Sequence, residues 1–166
     1  MITIISGTNR QDSMTRKVAM EYCRQLQHKG VDCSFLSLDE HEVHLKNEAF
    51  RQMEKEFLIP AKKIIIIVPE YNGSYAGIVK LMIDNSDIAR CWYHKKVLLT
   101  GISSGRAGNL RGMEHLTGVL MYMKVHVHPN RLPISSVDKL ISPDGLIHDE
   151  ATLSVINQQL NEFLNM

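Results

Sequence analysis

The sequence predicts an α/β fold built on a doubly wound parallel sheet of five strands, and three observations carry that expectation. Apolar runs alternate in character along the whole chain, strand-like then helix-like, which is the pattern of repeated β-α-β units. Lys63-Ile64-Ile65-Ile66-Ile67-Val68-Pro69 is a continuous β-branched run, as expected of a central strand covered on both faces by helices. Three polar loops containing glycine each follow directly on a strand, and that is the edge at which doubly wound sheets bind ligands.

The elements follow in order. Ile2 to Ser6 is the first strand, and a helix runs from near Ser13 to His28 with Val18, Ala19, Tyr22, Cys23 and Leu26 on one face. Gly30 is its stop signal. Cys33 to Leu38 reads as strand two, and the charged stretch Asp39 to Glu56 as loop plus a polar helix. Strand three, Lys63 to Pro69, leads into the loop Glu70 to Gly77 and then a helix to about Arg90. Val97 to Ile102 is the fourth strand, Ser103 to Gly108 a second glycine-rich loop, and Asn109 to Tyr122 a helix. Lys124 to His128 is the last strand, with His126 and His128 on one side and Val125 and Val127 on the other. Pro129 to Ile147, with three prolines and Gly145, reads mostly as loop. A final helix capped by Asp149 or Glu150 uses Leu153, Ile156, Leu160, Phe163 and Leu164 as its buried face.

A length of 166 residues with 44% apolar and 22% charged residues fits one soluble domain, residues 1–166. A net charge of +1, with Lys and Arg spread along the chain, gives no footprint for nucleic acid. No apolar run approaches the roughly 20 residues that span a bilayer, and no signal-peptide pattern is present, so a cytoplasmic location is expected by default. Cys23, Cys33 and Cys91 are odd in number and without C-x-x-C spacing, which fits reduced thiols; Cys23 reads as core. His126 and His128 have no evident third ligand, so no metal site is expected. Met113, Met121 and Met123 read as packing residues.

Chemistry concentrates in the loops. In the first, Thr8, Ser13 and Thr15 offer hydroxyls, Arg10 offers planar charge-assisted bonds, and the free N–H groups of the following helix point to the same spot. That is a cup for an anion, a phosphate monoester above all. The loop lacks G-x-G-x-x-G and the closing Gly-Lys-Ser/Thr, so neither a dinucleotide fold nor a nucleoside triphosphatase is indicated. The second loop, Pro69-Glu70-Tyr71-Asn72-Gly73-Ser74-Tyr75-Ala76-Gly77, offers aromatic surface, an amide and exposed main chain suited to a flat heterocycle with polar edges. In the third, backbone N–H groups at Gly105 and Gly108 stand beside the hydroxyls of Ser103 and Ser104.

Gly7-Thr8-x-Arg10-x-x-Ser13, Pro69-Glu70-Tyr71-Asn72-Gly73-Ser74 and Ser103-x-Gly105-x-x-Gly108, in this order and at this chain length, closely resemble the NADPH-dependent FMN reductase family, whose relatives include quinone, azo-dye and chromate reductases. The resemblance implies a flavodoxin-like sheet of order 2-1-3-4-5. It implies FMN as cofactor, with Thr8, Arg10, Ser13 and Thr15 on its phosphate. Pro69, Glu70, Tyr71, Asn72, Gly73 and Ser74 would line the isoalloxazine, and Ser103, Gly105 and Gly108 would meet the ribityl and pyrimidine side. It implies hydride transfer from NADPH or NADH to flavin N5 and ping-pong reduction of a small-molecule acceptor, with no catalytic side chain because the flavin carries the chemistry. Arg106 is a candidate contact to the NADPH phosphate. A homodimer or homotetramer is implied as well. Thr15 stands where the family usually has Asn, Ala76 where it has Pro, and Asn85 where an aromatic residue is common. Rival readings are a flavodoxin-type electron carrier, which near-neutral charge disfavours, a flavin-binding sensor or interaction module with little turnover, and a phosphate-ester hydrolase, for which the first loop lacks a nucleophile.

Overall fold

Five consecutive residues of the third strand, Ile64 to Val68, are wholly inaccessible to solvent in the computed structural model, which describes residues 1–166. This strand, β3 (Lys63–Tyr71), lies between β1 (Ile2–Ser6) and β5 (Lys96–Ile102), and β1 is flanked in turn by β2 (Cys33–Ser37). All three pairings are parallel. Beyond β5 lie two short parallel pieces, β6 (His126–Val127) and β7 (Leu132–Ile134). A two-residue strand, β4 (Ser74–Tyr75), folds back antiparallel on the end of β3. Counted without that hairpin, the order is the expected 2-1-3-4-5 of a flavodoxin-like sheet.

Helices cover both faces. On one side α1 (Met14–His28) and α6 (Glu150–Asn165) bury Val18, Ala19, Tyr22, Leu26, Ile156, Leu160 and Phe163 against Ile2, Ile4, Ile65, Ile67 and Leu98. On the other, α2 (Glu48–Met53), α3 (Gly77–Asn85), α4 (Ile88–Cys91) and α5 (Leu110–Tyr122) pack Phe50, Met82, Cys91, Leu116 and Leu120 over Ile5, Ile64, Ile66, Val97 and Leu99. The period-2 alternation of each strand thus sorts its residues between two cores. Ser13 caps α1 by accepting from Arg16 N, and Asp149 caps α6 through Thr152 N. No helix is long and apolar enough to cross a membrane.

Four expectations change in detail. The fifth strand is not continuous over Lys124 to His128: only His126 and Val127 pair with β5, and the edge resumes at Leu132, inside the segment expected to be loop. Pro129 has no N–H for the ladder, and Pro133 is tolerated because β7 is an edge. The helix expected to reach Arg90 breaks at Ser86, whose extended backbone leads to Asp87, the cap of α4 through Ala89 N and Arg90 N. The loop after β3 is a hairpin: Asn72 and Gly73 both have positive φ (53° and 75°), as a type I′ turn requires. Met121 is exposed, unlike Met113 and Met123. His128 packs edge-on against Phe163, and His126 faces His94.

Tyr22, Thr100 and Gln159 form a fully partnered polar cluster inside the α1–α6 core. Tyr22 Oη donates to Gln159 Oε1 (2.5 Å) and meets Thr100 Oγ1 (2.6 Å), while Gln159 Nε2 donates to Leu99 O (3.1 Å) and Asn130 O (2.8 Å). Burial holds the Tyr22 phenol far above the ordinary tyrosine value, so it serves as a neutral donor. Gln159→Leu strips partners from the buried Leu99 carbonyl, the half-buried Asn130 carbonyl and Tyr22, and is expected to lower stability by about 2 kcal/mol. Urea denaturation checks this; an unchanged midpoint would show the cluster to be energetically idle.

Candidate functional site

The register brings the ends of β1, β3 and β5 to one edge, with Ser6 opposite Ile67 and Pro69 opposite Ile102. Three loops leave that edge and enclose a cleft of about 490 Å³, a size suited to a cofactor or small ligand. Arg10, Ser13, Thr15, Pro69, Glu70, Tyr71, Asn72 and Ser103 line it, together with Gln11, Met14 and Ser104. Of the other residues expected there, Thr8 is buried behind Tyr71, and Gly73, Ser74, Gly105, Arg106 and Gly108 do not line the cleft.

The first loop is shaped to receive an anion. Gly7 admits the close approach that starts it: its N–H donates to Ile67 O (2.9 Å), and a Cβ there would lie 2.8 Å from that oxygen. Asp12 has positive φ (48°), a left-handed residue that bends the loop just before the cap of α1. The main-chain N–H groups of Gln11, Asp12, Ser13, Met14 and Thr15 find no acceptor within the protein. Beside them the Arg10 guanidinium lies 4.2 Å over the Tyr71 ring, and Tyr71 Oη bonds Thr8 Oγ1 at 2.6 Å. Thr8 Oγ1 also accepts from Arg10 N (3.1 Å). Tyr71 therefore belongs to the anion loop as well as to the hairpin: its ring carries the cation and its hydroxyl ties the two loops together. Thr8 is fully buried, and its hydroxyl serves these two bonds. Ser13 is occupied by its capping bond at Oγ, while its hydroxyl proton remains available.

The hairpin supplies main chain. Pro69 is buried at its base, Glu70 and Asn72 are exposed, and Ser74 Oγ lies 2.9 Å from His115 Nδ1 on α5. Ala76 has φ −62°, the value a proline would impose, so the departure from the family pattern preserves the backbone. Asn85 turns inward and donates to Val43 O (2.7 Å).

The third loop is pinned by Ser103, which donates to Gly105 O (3.0 Å) and accepts from Gly108 N (2.9 Å). Gly108 has φ +54°, and a Cβ there would come within 2.7 Å of Pro133 and Ile134, so this glycine lets the loop close against β7. A residue that the sequence does not single out joins the loops. Asn109 is fully buried in a left-handed conformation (φ 62°), and its Nδ2 donates to Val68 O (3.1 Å) and Pro69 O (2.9 Å) at the base of the hairpin. Gly112 leaves it room, since a Cβ there would sit 2.1 Å from Asn109 Oδ1 and 2.6 Å from Tyr75 N. The available signal was an Asn following Gly at a helix start, a position read only as a boundary.

A family model described as NADPH-dependent FMN reductase matches residues 1–138. The NAD(P)H-dependent FMN reductase PA1204 of Pseudomonas aeruginosa is 30% identical over 109 residues, which are 64% of this chain and 59% of that protein, so the match spans less than two thirds of that relative. A 2-hydroxy-1,4-benzoquinone reductase of Burkholderia sp is 23% identical over 98% of this chain and 93% of its own. FerB from Paracoccus denitrificans, a flavoenzyme NAD(P)H:(acceptor) oxidoreductase, shares the fold with a TM-score of 0.81 at 19% identity, covering 99% of this chain and 94% of its own.

Asn109→Gly keeps the positive φ and removes both bonds to the hairpin base. It is expected to cost about 1–3 kcal/mol and to speed amide exchange at Tyr71 and Asn72 more than in β1. Equal exchange across both segments would deny Asn109 its role as the tie between loops.

Proposed function

The chain belongs to the NADPH-dependent FMN reductase family, and from that premise we propose that it binds FMN in the three-loop cleft and uses NADPH or NADH to reduce a small acceptor, with a quinone the favoured class. The observation that carries this reading is the anion seat of the first loop: consecutive unpaired N–H groups lining the same cleft as a guanidinium that is held over the Tyr71 ring. A phosphate monoester matches it in charge and donor geometry. The residues present fit the rest of the cofactor too, because a hairpin whose tip is main chain borders the cleft beside the hydroxyl of Ser103.

Bound there, FMN supplies the two-electron exchange between nicotinamide and acceptor. The chain supplies position. Arg10 and the N–H groups of Gln11 to Thr15 would hold the phosphate, Pro69 to Asn72 would border the ring system, and Ser104, which lines the cleft from the third loop, would offer a donor as negative charge develops. The quinone class is favoured because a relative covered almost end to end by this chain is named a 2-hydroxy-1,4-benzoquinone reductase. The active form is proposed to be a single-domain subunit in a homodimer or homotetramer; Met121 and Tyr122 on α5 are exposed apolar residues that assembly would cover. A cytoplasmic location is part of the proposal; there the free thiols Cys23, Cys33 and Cys91 would stay reduced.

Purified protein incubated with FMN and desalted is expected to keep visible flavin bands that bleach on anaerobic addition of NADPH. Loss of all flavin on desalting overturns the site, and flavin that stays oxidised moves the reading to a carrier. Arg10→Ala is expected to weaken FMN binding roughly 10- to 100-fold by removing a charge-assisted contact. Tyr71→Phe keeps the ring under Arg10 and should cost less. Equilibrium titration of flavin fluorescence measures both, and an unaltered Kd in Arg10→Ala removes Arg10 from the phosphate site.

A further inference from the structure

Gly73 and Ser74, next in sequence to the cleft-lining Asn72, meet a second polar cluster that does not itself line the cleft. Arg111 and His115 stand four residues apart on α5 and so share one face of that helix. Both are exposed, and both meet the turn. Arg111 Nη1 lies 3.1 Å from the point where a Cβ on Gly73 would sit, so the guanidinium rests against the turn in the space this glycine leaves open. His115 Nδ1 is held by Ser74 Oγ at 2.9 Å. In the tautomer in which Ser74 donates to Nδ1, the ring proton lies on Nε2 and offers a second donor.

No carboxylate neutralises the pair. Glu114, between them in sequence, is turned to Arg131 (2.7 Å), and Asp84 is held by Lys80 (2.7 Å). The hairpin's own carboxylate, Glu70, makes no ion pair and lies on the cleft side. An unpaired guanidinium beside a positioned imidazole is a recognition site for an oxyanion, because the planar fork of Arg donates to two oxygens at once and the ring N–H donates a third bond.

We propose that Arg111 and His115 form an oxyanion subsite at the rim of the cleft, which holds the charged group of a ligand whose reactive ring lies over the cofactor site. The proposal rests on the flavin reading, since the cleft behind the turn is where that ring goes. Two ligands carry the required chemistry. One is the 2′-phosphate of NADPH; the other is a hydroxyquinone acceptor, an acid that is ionised at neutral pH. Ser74 and Gly73 are positioning residues here, one orienting the imidazole and the other leaving space for the guanidinium.

The test titrates the purified protein calorimetrically with adenosine 2′-monophosphate and with 2-hydroxy-1,4-benzoquinone, using adenosine and unsubstituted benzoquinone as uncharged counterparts. One anionic probe is expected to bind more tightly than its counterpart. Arg111→Ala should weaken that probe about tenfold or more, and Arg111→Lys should restore part of the loss. Arg106→Ala, an equal change of charge in the third loop, should act less. In turnover, Arg111→Ala should raise the KM ratio of NADPH to NADH if the phosphate is the guest, or of hydroxyquinone to benzoquinone if the acceptor is. The inference is overturned if neither anionic probe is preferred over its counterpart, or if the preference survives Arg111→Ala intact. FMN retention by wild type is measured alongside: protein that loses FMN but still shows an Arg111-dependent preference refutes the flavin reading and supports the subsite.

Discussion

The burial of β3 on both faces is the constraint from which the other features follow. Ile64 to Val68 have no exposed surface, so a layer of helices must cover each side of the sheet, and each flanking strand must supply the ladder partners that water cannot. That condition selects parallel neighbours connected through helices, right through the register that sets Ser6 against Ile67 and Pro69 against Ile102. It also creates a problem at the carboxyl end. β3 outruns β1 by several residues, and the carbonyls of Val68 and Pro69 lie at the buried base of the hairpin. The Asn109 side chain meets them, and α5 is anchored to the hairpin at the same point.

The ligand edge is thus made mostly of main chain held in place by buried side chains. Thr8, Ser103 and Asn109 present little to the cleft and mainly fix loops: Thr8 through Tyr71, Ser103 through Gly105 and Gly108, Asn109 through the strand end. Such a site is rigid before its ligand arrives, so little ordering has to be offset by binding. Its positive charge comes from a single guanidinium near unpaired N–H groups, with the Glu70 carboxylate on the hairpin side of the cleft, so a chain with a formal charge of +1 can still offer a local anion seat at the first loop. Arg111 and His115 repeat that economy behind the turn, where a glycine and a serine set the position of two donor groups.

Much of the fold was legible in the chain because it depends on period and composition alone. The β-branched run at Ile64 to Val68, the apolar stripe of α1 and the caps at Ser13 and Asp149 each follow from local rules, and the structure places them as expected. The break at Ser86 and the hairpin at Asn72-Gly73 were also locally encoded, by a Ser-Asp cap signal and the strongest type I′ dipeptide. A helix period running across the first and a family motif covering the second mask both signals.

The sequence by itself determined the parallel two-faced sheet, the edge at which the loops gather and the residue types available there, since apolar periodicity and glycine-bearing turns are properties of a few neighbouring residues. Only the tertiary structure decided that the Tyr71 ring lies under Arg10, that Asn109 holds the hairpin, that the edge strand splits around Pro129 and that Arg111 reaches across Gly73. Those contacts join residues dozens of positions apart, and no local propensity can specify a pairing whose two members meet only after the sheet has closed.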